Sequence, residues 1–294
     1  MGLGIHMNDK RRNAFTLTEV LISILVLGLI MAAVIGLFFA IVKHLEQSND
    51  ITTAQQRGEM VLTALGPKIL AAGVGMPSPA SYDEQLKQLQ SFSDWVSPVS
   101  PDSGDELTIL YTEPTEAIVS GETSLTEGTL ASIDLVGPLP SATEMKNAQF
   151  QAAGWVAFPA TRVALQVKTA ADPLGVIPKG NGKVYAFDRL HLVRGVRAKV
   201  VDNWFVMDDL WTAPATSKRI VEGIAGFRFV QSSDVNGRFV TVWVLARGNT
   251  RHDSAVSPSK LDDWKDGKDY FYISTEDRHY RLKVVQRTWR LRNL

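Results

Sequence analysis

The chain of 294 residues contains no cysteine, which excludes disulfide bonds, thiolate metal sites and thiol nucleophiles. An excess of charge of one sign is also absent, because 31 basic residues balance 31 acidic residues. Without a net positive charge, the molecule as a whole has no electrostatic attraction for nucleic acid or anionic lipid. A domain of this composition depends on its hydrophobic core for stability.

Motifs of catalytic and cofactor sites are likewise missing. The five histidines are scattered along the chain, and neither a His-Glu-x-x-His motif nor a histidine pair at zinc-ligand spacing occurs. No Gly-x-Ser-x-Gly turn is present for a serine nucleophile. Residues 180–183, with the sequence GNGK, lack the frame of a phosphate-binding loop. We therefore expect neither an enzymatic activity nor a cofactor.

Two acidic clusters are the remaining candidates for a metal site. Asp102, Asp105 and Glu106 form the first, and the aspartates within residues 262–269 form the second. Neither cluster follows the spacing of an EF-hand loop, and calcium requires about six to eight oxygen ligands around one point. We expect solvated loop charge at both clusters, with calcium binding as the alternative.

One long apolar run lies near the beginning of the sequence. The residues from Val20 to Val42 include no formally charged side chain, and as a helix they span about 35 Å at about 1.5 Å per residue. The hydrocarbon core of a bilayer is about 30 Å thick, so this helix can cross a membrane. The sequence therefore predicts a single transmembrane helix.

The residues before this run are ordered differently from those of a secretory signal peptide. Such a peptide places its small-residue cleavage site after the apolar segment, whereas here Ala14 lies between the basic residues 10–12 and the run. Cleavage at Ala14 would remove the basic leader and keep the hydrophobic helix. The basic residues on the leader side predict that the chain after Lys43 lies across the membrane.

Residues 10–21, with the sequence KRRNAFTLTEVL, resemble the class III signal of type IV prepilins and pseudopilins. In that family a membrane aspartyl peptidase, the prepilin peptidase, cuts before a phenylalanine and methylates the new amino terminus. The resemblance implies cleavage between Ala14 and Phe15, N-methylation of Phe15, and Glu19 as the fifth residue of the mature chain. The family usually has glycine before the cut, where this chain has the small residue Ala14.

Glu19 stands at the edge of the apolar run. A carboxylate within one turn of a membrane span is costly in lipid and favours a buried partner. The resemblance supplies that partner as the new ammonium group of Phe15 in a neighbouring subunit. Removing one member of such a buried pair costs about 3–5 kcal/mol, so Glu19 would set the register of assembly. A plain signal anchor with an isolated interfacial glutamate is the alternative.

Beyond the membrane the helix is predicted to become amphipathic. One face should pack against a globular head, because apolar and small residues recur on it at helical spacing. These residues are Ala54, Gly58, Val61, Leu65 and Ile69. Polar residues, among them Asp50, Arg57 and Glu59, are expected elsewhere on the helix. Residues 71–75 (AAGVG), followed by Pro77, are expected to end it.

After about residue 76 the sequence changes to short β-prone runs separated by turn signals, which predicts a β-rich head. Asn181-Gly182 and Asn236-Gly237 are predicted as tight hairpin turns. The apolar positions of the last strand change parity near Val284-Val285, which predicts a β-bulge. The predicted loops are residues 78–105, 113–130 and 248–280.

The predicted fold class is α+β and pilin-like, with a long amino-terminal helix packed on the β-rich head. Residues 239–245 are apolar on both alternating faces, as in a central strand that is covered on each side, and the helix should cover one of these faces. The predicted boundaries are a leader at 1–14, a transmembrane half of the helix at 15–43, an amphipathic half at 44–72 and an extracytoplasmic head at 73–294.

Three further segments resemble the PilW and GspJ branch of minor pilins: residues 220–229 (IVEGIAGFRF), Ala72-Gly73, and residues 289–293 (WRLRN). The resemblance implies a PilW-type minor pilin of a type IV pilus that helps to initiate or cap pilus assembly, with roles in motility and cell adhesion. The implied partners are the prepilin peptidase, other minor pilins, the major pilin, the inner-membrane assembly platform and the lipid bilayer. The implied location is the inner membrane with the head in the periplasm, and then the pilus or the cell surface.

Two other functions remain open at this point. A J-type pseudopilin of a type II secretion system would share the assembly mechanism but would serve the export of folded proteins. A signal-anchored periplasmic enzyme or ligand-binding domain would instead keep an intact Met1.

Basic residues crowd the carboxyl terminus and could in principle contact a nucleic-acid backbone. The alternation of a strand distributes them over both of its faces, and charges on an edge strand also prevent aggregation. We therefore do not expect nucleic acid as a partner. The residues in question are Arg278, Arg281, Lys283, Arg287, Arg290 and Arg292, near Tyr280 and Trp289.

Overall fold

The computed structural model describes residues 16–76, 97–145, 154–210, 216–235, 237–261 and 273–291. Ala14, Phe15, Asn236 and the acidic cluster within 262–269 lie outside the described residues. Helix α1 (Leu17–Leu70) is the first element. The contacts divide the chain into two units, Met1–Asn49 and Asp50–Leu294, and α1 contributes to both.

The described part of the second unit is mainly antiparallel sheet, which confirms the α+β prediction. Its only other regular helical elements are α2 (Ala142–Met145) and a short 3-10 turn (Asp277–His279) within the described ranges. The strands are β1 (Val99–Ser100), β2 (Ser103–Gly104), β3 (Leu107–Val119), β4 (Thr123–Leu125), β5 (Ala131–Ile133), β6 (Leu135–Val136), β7 (Trp155–Ala157), β8 (Leu165–Thr169), β9 (Leu174–Pro178), β10 (Gly182–Val184), β11 (Arg189–Val201), β12 (Trp204–Asp209), β13 (Thr216–Glu222), β14 (Ile224–Asp234), β15 (Gly237–Arg247) and β16 (Leu282–Leu291).

Two main sheets and a two-stranded sheet of β4 and β10 contain these strands. The larger has the order β1-β3-β11-β7-β8-β9-β5, with β12 between β11 and β13, and with β6 beside β3. The smaller has the order β16-β15-β14-β2. In the larger sheet β3 and β11 pair along most of their length, with Leu110 opposite Gly195. These two long strands each contribute buried residues to both hydrophobic cores.

The two large hydrophobic cores lie toward opposite ends of strand β3. The first joins α1 to β3, β11, β12 and the inner face of the smaller sheet, through buried residues such as Leu65, Phe205 and Val242. The second is formed mainly by the strands that lie between β3 and β11 in the sequence, and it contains Phe158 and Leu165. Because α1 belongs to the first core, its head-proximal half is held by apolar burial.

Two glycines allow α1 to approach the smaller sheet closely. A Cβ atom added at Gly58 would lie 2.5 Å from Cγ2 of Val285, and one at Gly66 would lie 3.3 Å from Nε1 of Trp289. The face predicted from helical spacing is the buried face, which includes Ala54, Gly58, Val61, Leu65 and Ile69. β15 is central because it lies between β14 and β16. The prediction that the helix covers one of its faces is confirmed, since buried residues of β15 and of α1 belong to the same core.

Three predictions about the head are wrong. Asn181-Gly182 does not join two neighbouring strands, because β10 pairs with β4 and Asn181 Oδ1 instead accepts a hydrogen bond from the amide of Glu127 at 2.9 Å. Two of the predicted loops contain strands, because residues 113–130 include the second half of β3 and all of β4, and residues 78–105 include β1 and β2. By contrast, β14 and β15 pair as predicted, with Asp234 opposite Gly237.

The bulge predicted near Val284-Val285 is also absent, because β15 and β16 keep one uninterrupted register along their whole length. The change of parity has another cause. Val285 packs in the first core on the helix side of the sheet, whereas Leu282 and Val284 pack on the opposite side against a small cluster that contains Leu245 and Ile273. Both faces of this end of β16 are therefore covered.

Candidate functional site

The amino-terminal end of α1 carries a reciprocal pair of hydrogen bonds between Thr16 and Glu19. The amide of Thr16 donates to Oε2 of Glu19 at 2.9 Å, and the amide of Glu19 donates to Oγ1 of Thr16 at 3.3 Å. Oγ1 of Thr16 also donates to Oε2 of Glu19 at 3.0 Å. This is a capping box, in which two residues at the helix start satisfy each other's unpaired amide groups. Glu19 is therefore held in place within its own chain.

This capping box was not predicted above, although its signal is present in the sequence. Thr16-Leu17-Thr18-Glu19 has the hydroxyl residue and the glutamate three positions apart, directly before an apolar run, as the capping box requires. The first intrahelical bond follows at once, from the amide of Val20 to the carbonyl oxygen of Thr16 at 3.2 Å. The box makes Glu19 a structural residue of the helix start as well as a candidate for assembly.

The membrane-length part of α1 is exposed along its length. None of the residues in its most apolar stretch is buried, and its large side chains, including Leu25, Phe38 and Phe39, are exposed. The helix is long and apolar enough to cross a membrane. Exposed apolar surface of this extent requires lipid or other apolar helices as its surroundings.

A second polar site lies at the start of the head-proximal half of α1. Asp50 is only 2% exposed, and its Oδ1 accepts hydrogen bonds from the amides of Asn249 and Thr250, both at 3.2 Å, and from Oγ1 of Thr250 at 3.0 Å. Nε2 of His252 lies 3.6 Å from Oδ2 of Asp50. The prediction that Asp50 lies away from the buried face is therefore wrong. A buried carboxylate is tolerated here because the loop supplies several donors.

Arg57, two turns along the helix, completes this attachment. Its Nη1 donates to the carbonyl oxygens of Arg247 and Gly248 at 2.8 and 3.0 Å, and its Nη2 donates to Oδ1 of Asn249 at 2.8 Å. We call Asp50, Arg57 and residues 247–250 the helix–loop clasp. The clasp ties the helix to the end of β15 through charge-assisted hydrogen bonds, which are stronger than neutral ones.

Lys68 and Tyr111 form another partly buried polar pair, between α1 and β3. Nζ of Lys68 donates to the phenol oxygen of Tyr111 at 2.8 Å, and that hydroxyl donates to Oε1 of Glu113 at 3.4 Å. Burial, followed by the charge of Glu113, raises the pKa of Tyr111 well above its ordinary value. Burial lowers the pKa of Lys68, against the opposing effect of Glu113. Both shifts follow from removing these groups from water.

Some of the predicted site residues lie within the described part of the chain and others lie outside it. Glu19 lies in the capping box, whereas Ala14 and Phe15 precede the described residues. In the first acidic cluster Glu106 contacts Arg197 at 2.9 Å, and the described residues contain no group of three metal-ligand side chains. The carboxyl-terminal Trp289 is buried against α1, and Arg287 contacts Glu59 at 2.7 Å.

The comparison with known families identifies the amino-terminal segment. The family model of the prokaryotic N-terminal methylation motif matches residues 9–35, which include the basic leader, Glu19 and the first turns of the apolar helix. No curated protein and no solved structure matches the chain.

The family match and the apolar helix together indicate the general class of the protein. The single apolar helix, with this motif at its start, is consistent with anchoring in the inner membrane. A motif of this type implies processing by the prepilin peptidase and association with pilus or secretion-system components. The motif indicates that the chain is a prepilin-like protein, of the type IV pilin or pseudopilin kind.

Proposed function

We propose that this protein is a PilW-type minor pilin, which is cleaved between Ala14 and Phe15, methylated at Phe15 and incorporated into a type IV pilus, where it helps to initiate or cap assembly. The observation that carries the proposal is the methylation motif at residues 9–35, which leads directly into an apolar helix of membrane length. The protein acts by assembly and has no catalytic activity of its own.

Assembly proceeds by lateral association of the apolar helices. The apolar side chains of residues 20–41 are exposed and available to such partners, and helices in lipid associate through close packing and polar contacts. The amide and the hydroxyl of Thr16 both donate to Oε2 of Glu19. The capping box thus holds the carboxylate in a defined position, from which it pairs with the amino group of Phe15 in a neighbouring subunit.

The β-rich head selects the partners. The second unit contains two cores and a loop system clasped to α1 by Asp50 and Arg57. Surface loops on such a rigid scaffold are the usual location of partner contacts. In this proposal the head meets other minor pilins and the major pilin on the periplasmic side, and later at the pilus tip or cell surface.

Mass analysis of the mature amino terminus tests the proposal. The protein is purified from membranes of its native host, and from a host that lacks the prepilin peptidase as the control. We expect N-methyl-Phe15 as the first residue in the former and intact Met1 in the latter. Intact Met1 in both would instead favour a signal-anchored periplasmic domain.

Copurification after mild crosslinking separates a pilin from a pseudopilin, because the methylation motif fits both. We expect minor and major pilins of a pilus among the crosslinked partners. Recovery of type II secretion components alone would assign the chain to that system and overturn the pilus proposal, while leaving the processing step intact.

A further inference from the structure

Strand β16 forms one edge of the smaller sheet. It pairs with β15 on one side, and in the described part of the chain no strand pairs with its other side. Its middle residues Gln286, Arg287 and Thr288 are exposed, as is Arg290. A strand of this length with an open edge offers a row of backbone donors and acceptors to another chain.

The register identifies which backbone groups point outward. The amide of Gly248 donates to the carbonyl oxygen of Arg281 at 2.8 Å, which makes this pair a hydrogen-bonded pair of the antiparallel ladder. Hydrogen-bonded and non-hydrogen-bonded pairs alternate in such a ladder. The N–H and C=O groups that point away from β15 are therefore those of Leu282, Val284, Gln286, Thr288 and Arg290.

The charged side chains that β16 itself carries all have the same sign. β16 carries Lys283, Arg287 and Arg290 and no acidic residue, and its neighbour β15 also carries arginine but no acidic residue. Arg287 contacts Glu59 of α1. Like charges on directly opposite residues of paired strands are destabilising, and opposite charges are stabilising. Symmetric pairing of β16 with a second copy would bring this basic set against itself.

We propose that the open edge of β16 is a docking site for an extended, acidic segment of a partner protein, which adds to the sheet as a further strand. The backbone groups of the edge supply affinity, and the basic side chains select the partner. In an antiparallel arrangement the partner carries acidic residues opposite Arg290, Arg287 and Lys283, that is, with spacings of three and then four residues. The edge lies outside the methylation motif, so this docking site does not depend on the pilin assignment.

A short synthetic peptide tests the docking site on the full-length chain in detergent micelles. The fluorescent probe is rich in valine and threonine, with glutamate at its first, fourth and eighth positions, and a matched peptide has lysine at those positions. We expect fluorescence anisotropy to show binding that is at least about tenfold tighter for the glutamate peptide. Equal affinity of the two peptides, or binding of neither, would overturn the proposal.

Two variants locate the contact on β16. Thr288→Pro removes an outward N–H without removing a bond to β15, so it should abolish binding, whereas Thr288→Val keeps the N–H and should bind normally. The double variant Lys283→Glu with Arg290→Glu changes only surface charge, and it should reverse the preference in favour of the lysine peptide. A preference that stays unchanged in the double variant would contradict the site even if the proline variant fails to fold.

A second copy of the chain is the competing occupant. The chain has no cysteine, so Thr288→Cys introduces a single reactive thiol on the open edge. We expect no disulfide-linked dimer of this variant under mild oxidation. Efficient formation of such a dimer would show that β16 pairs with itself and would overturn the proposal.

Discussion

Asp50 and Thr250 are two hundred positions apart in sequence and meet through a 3.0 Å hydrogen bond from the threonine hydroxyl to Oδ1 of the aspartate. The same oxygen accepts the backbone amides of Asn249 and Thr250. A single buried carboxylate oxygen therefore holds a whole turn of the loop after β15 against the helix.

Asp50→Ala should destabilise the second unit by about 1–3 kcal/mol, because donors of the loop lose their acceptor in a buried place. Asp50→Asn keeps an oxygen at Oδ1 and should cost less. The unfolding midpoint of the full-length chain in micelles measures both, and hydrogen exchange at the Thr250 amide reports the local effect. The exposed neighbour Asn49 supplies the control, Asn49→Ala. Equal stability of the Asp50→Ala and Asn49→Ala variants would contradict the clasp.

Gly58→Ala should destabilise the packing of α1 on the smaller sheet. The added Cβ would lie 2.5 Å from Cγ2 of the buried Val285, and overpacking of this kind costs about 1–3 kcal/mol. The loss should exceed the small gain in helix propensity that alanine brings. Chemical unfolding of the full-length chain measures the change.

Two further variants separate this clash from a general effect of replacing glycine. Gly121→Ala has no atom within 4 Å of its added Cβ and should leave stability unchanged. Val285→Ala removes the nearest methyl group but leaves its own Cβ, 2.8 Å from the added Cβ at Gly58, and it also costs buried apolar surface. The loss caused by Gly58→Ala should therefore be compared in the two backgrounds, and it should be smaller in the Val285→Ala chain than in the unaltered chain. An equal loss in both backgrounds would mean that the close approach at Val285 is not the cause.

The buried face of α1 could be predicted from sequence because it repeats with the helical period. Ala54, Val61 and Leu65 are all buried, as the spacing required. Asp50 continues the same spacing four residues earlier, but aspartate is normally a surface residue. Its burial depends on donors from residues 249 and 250, and only the folded sheet brings these donors to the helix.

The errors in the head have a similar origin in tertiary structure. The parity change in β16 indicates a bulge only when a single face of a strand is buried. Here Val284 and Val285 are covered from opposite sides, by the small cluster around Leu245 and by α1. The capping box of Thr16 and Glu19 is different, because its whole signal is local and could have been predicted from the sequence.

Tyr111 should make stability depend on pH in the alkaline range. Its pKa is raised above the ordinary 10.0 on folding, so its stabilising contribution is complete below that value and is lost as the pH rises through the folded-state pKa. Lys68 acts in the opposite direction, because its lowered pKa makes stability increase up to its unfolded value of 10.5. Above 10.5 the tyrosine therefore dominates.

Tyr111→Phe should flatten the fall in unfolding free energy between about pH 10.5 and 11.5, a fall of up to about 1 kcal/mol per pH unit in the unaltered chain. The slope is the relevant quantity, because the variant also loses the hydrogen bond from Lys68 at every pH. Tyr185 is much more exposed, so Tyr185→Phe should keep the full slope. An unchanged slope in Tyr111→Phe would exclude Tyr111 as its source.

Glu19 has two proposed roles, in helix capping and in assembly, and three substitutions separate them. Glu19→Gln keeps an acceptor for the Thr16 amide, since glutamine also serves in a capping box, but it removes the charge. Glu19→Val removes both the acceptor and the charge. Thr16→Val removes the hydroxyl of the box and keeps the charge. All three variants should insert into the membrane and be cleaved.

If charge pairing with the amino group of Phe15 governs assembly, Glu19→Gln and Glu19→Val should both lose incorporation by at least about a hundredfold, as expected for breaking a buried ion pair. Thr16→Val should retain most of its incorporation, since a lost cap costs only about 1 kcal/mol. Incorporation is measured by immunoblot, as the ratio of the variant in sheared pili to the variant in the membrane fraction. Normal incorporation of Glu19→Gln together with loss in Glu19→Val would assign the residue to helix capping instead of register, because the only property that glutamine lacks is the charge.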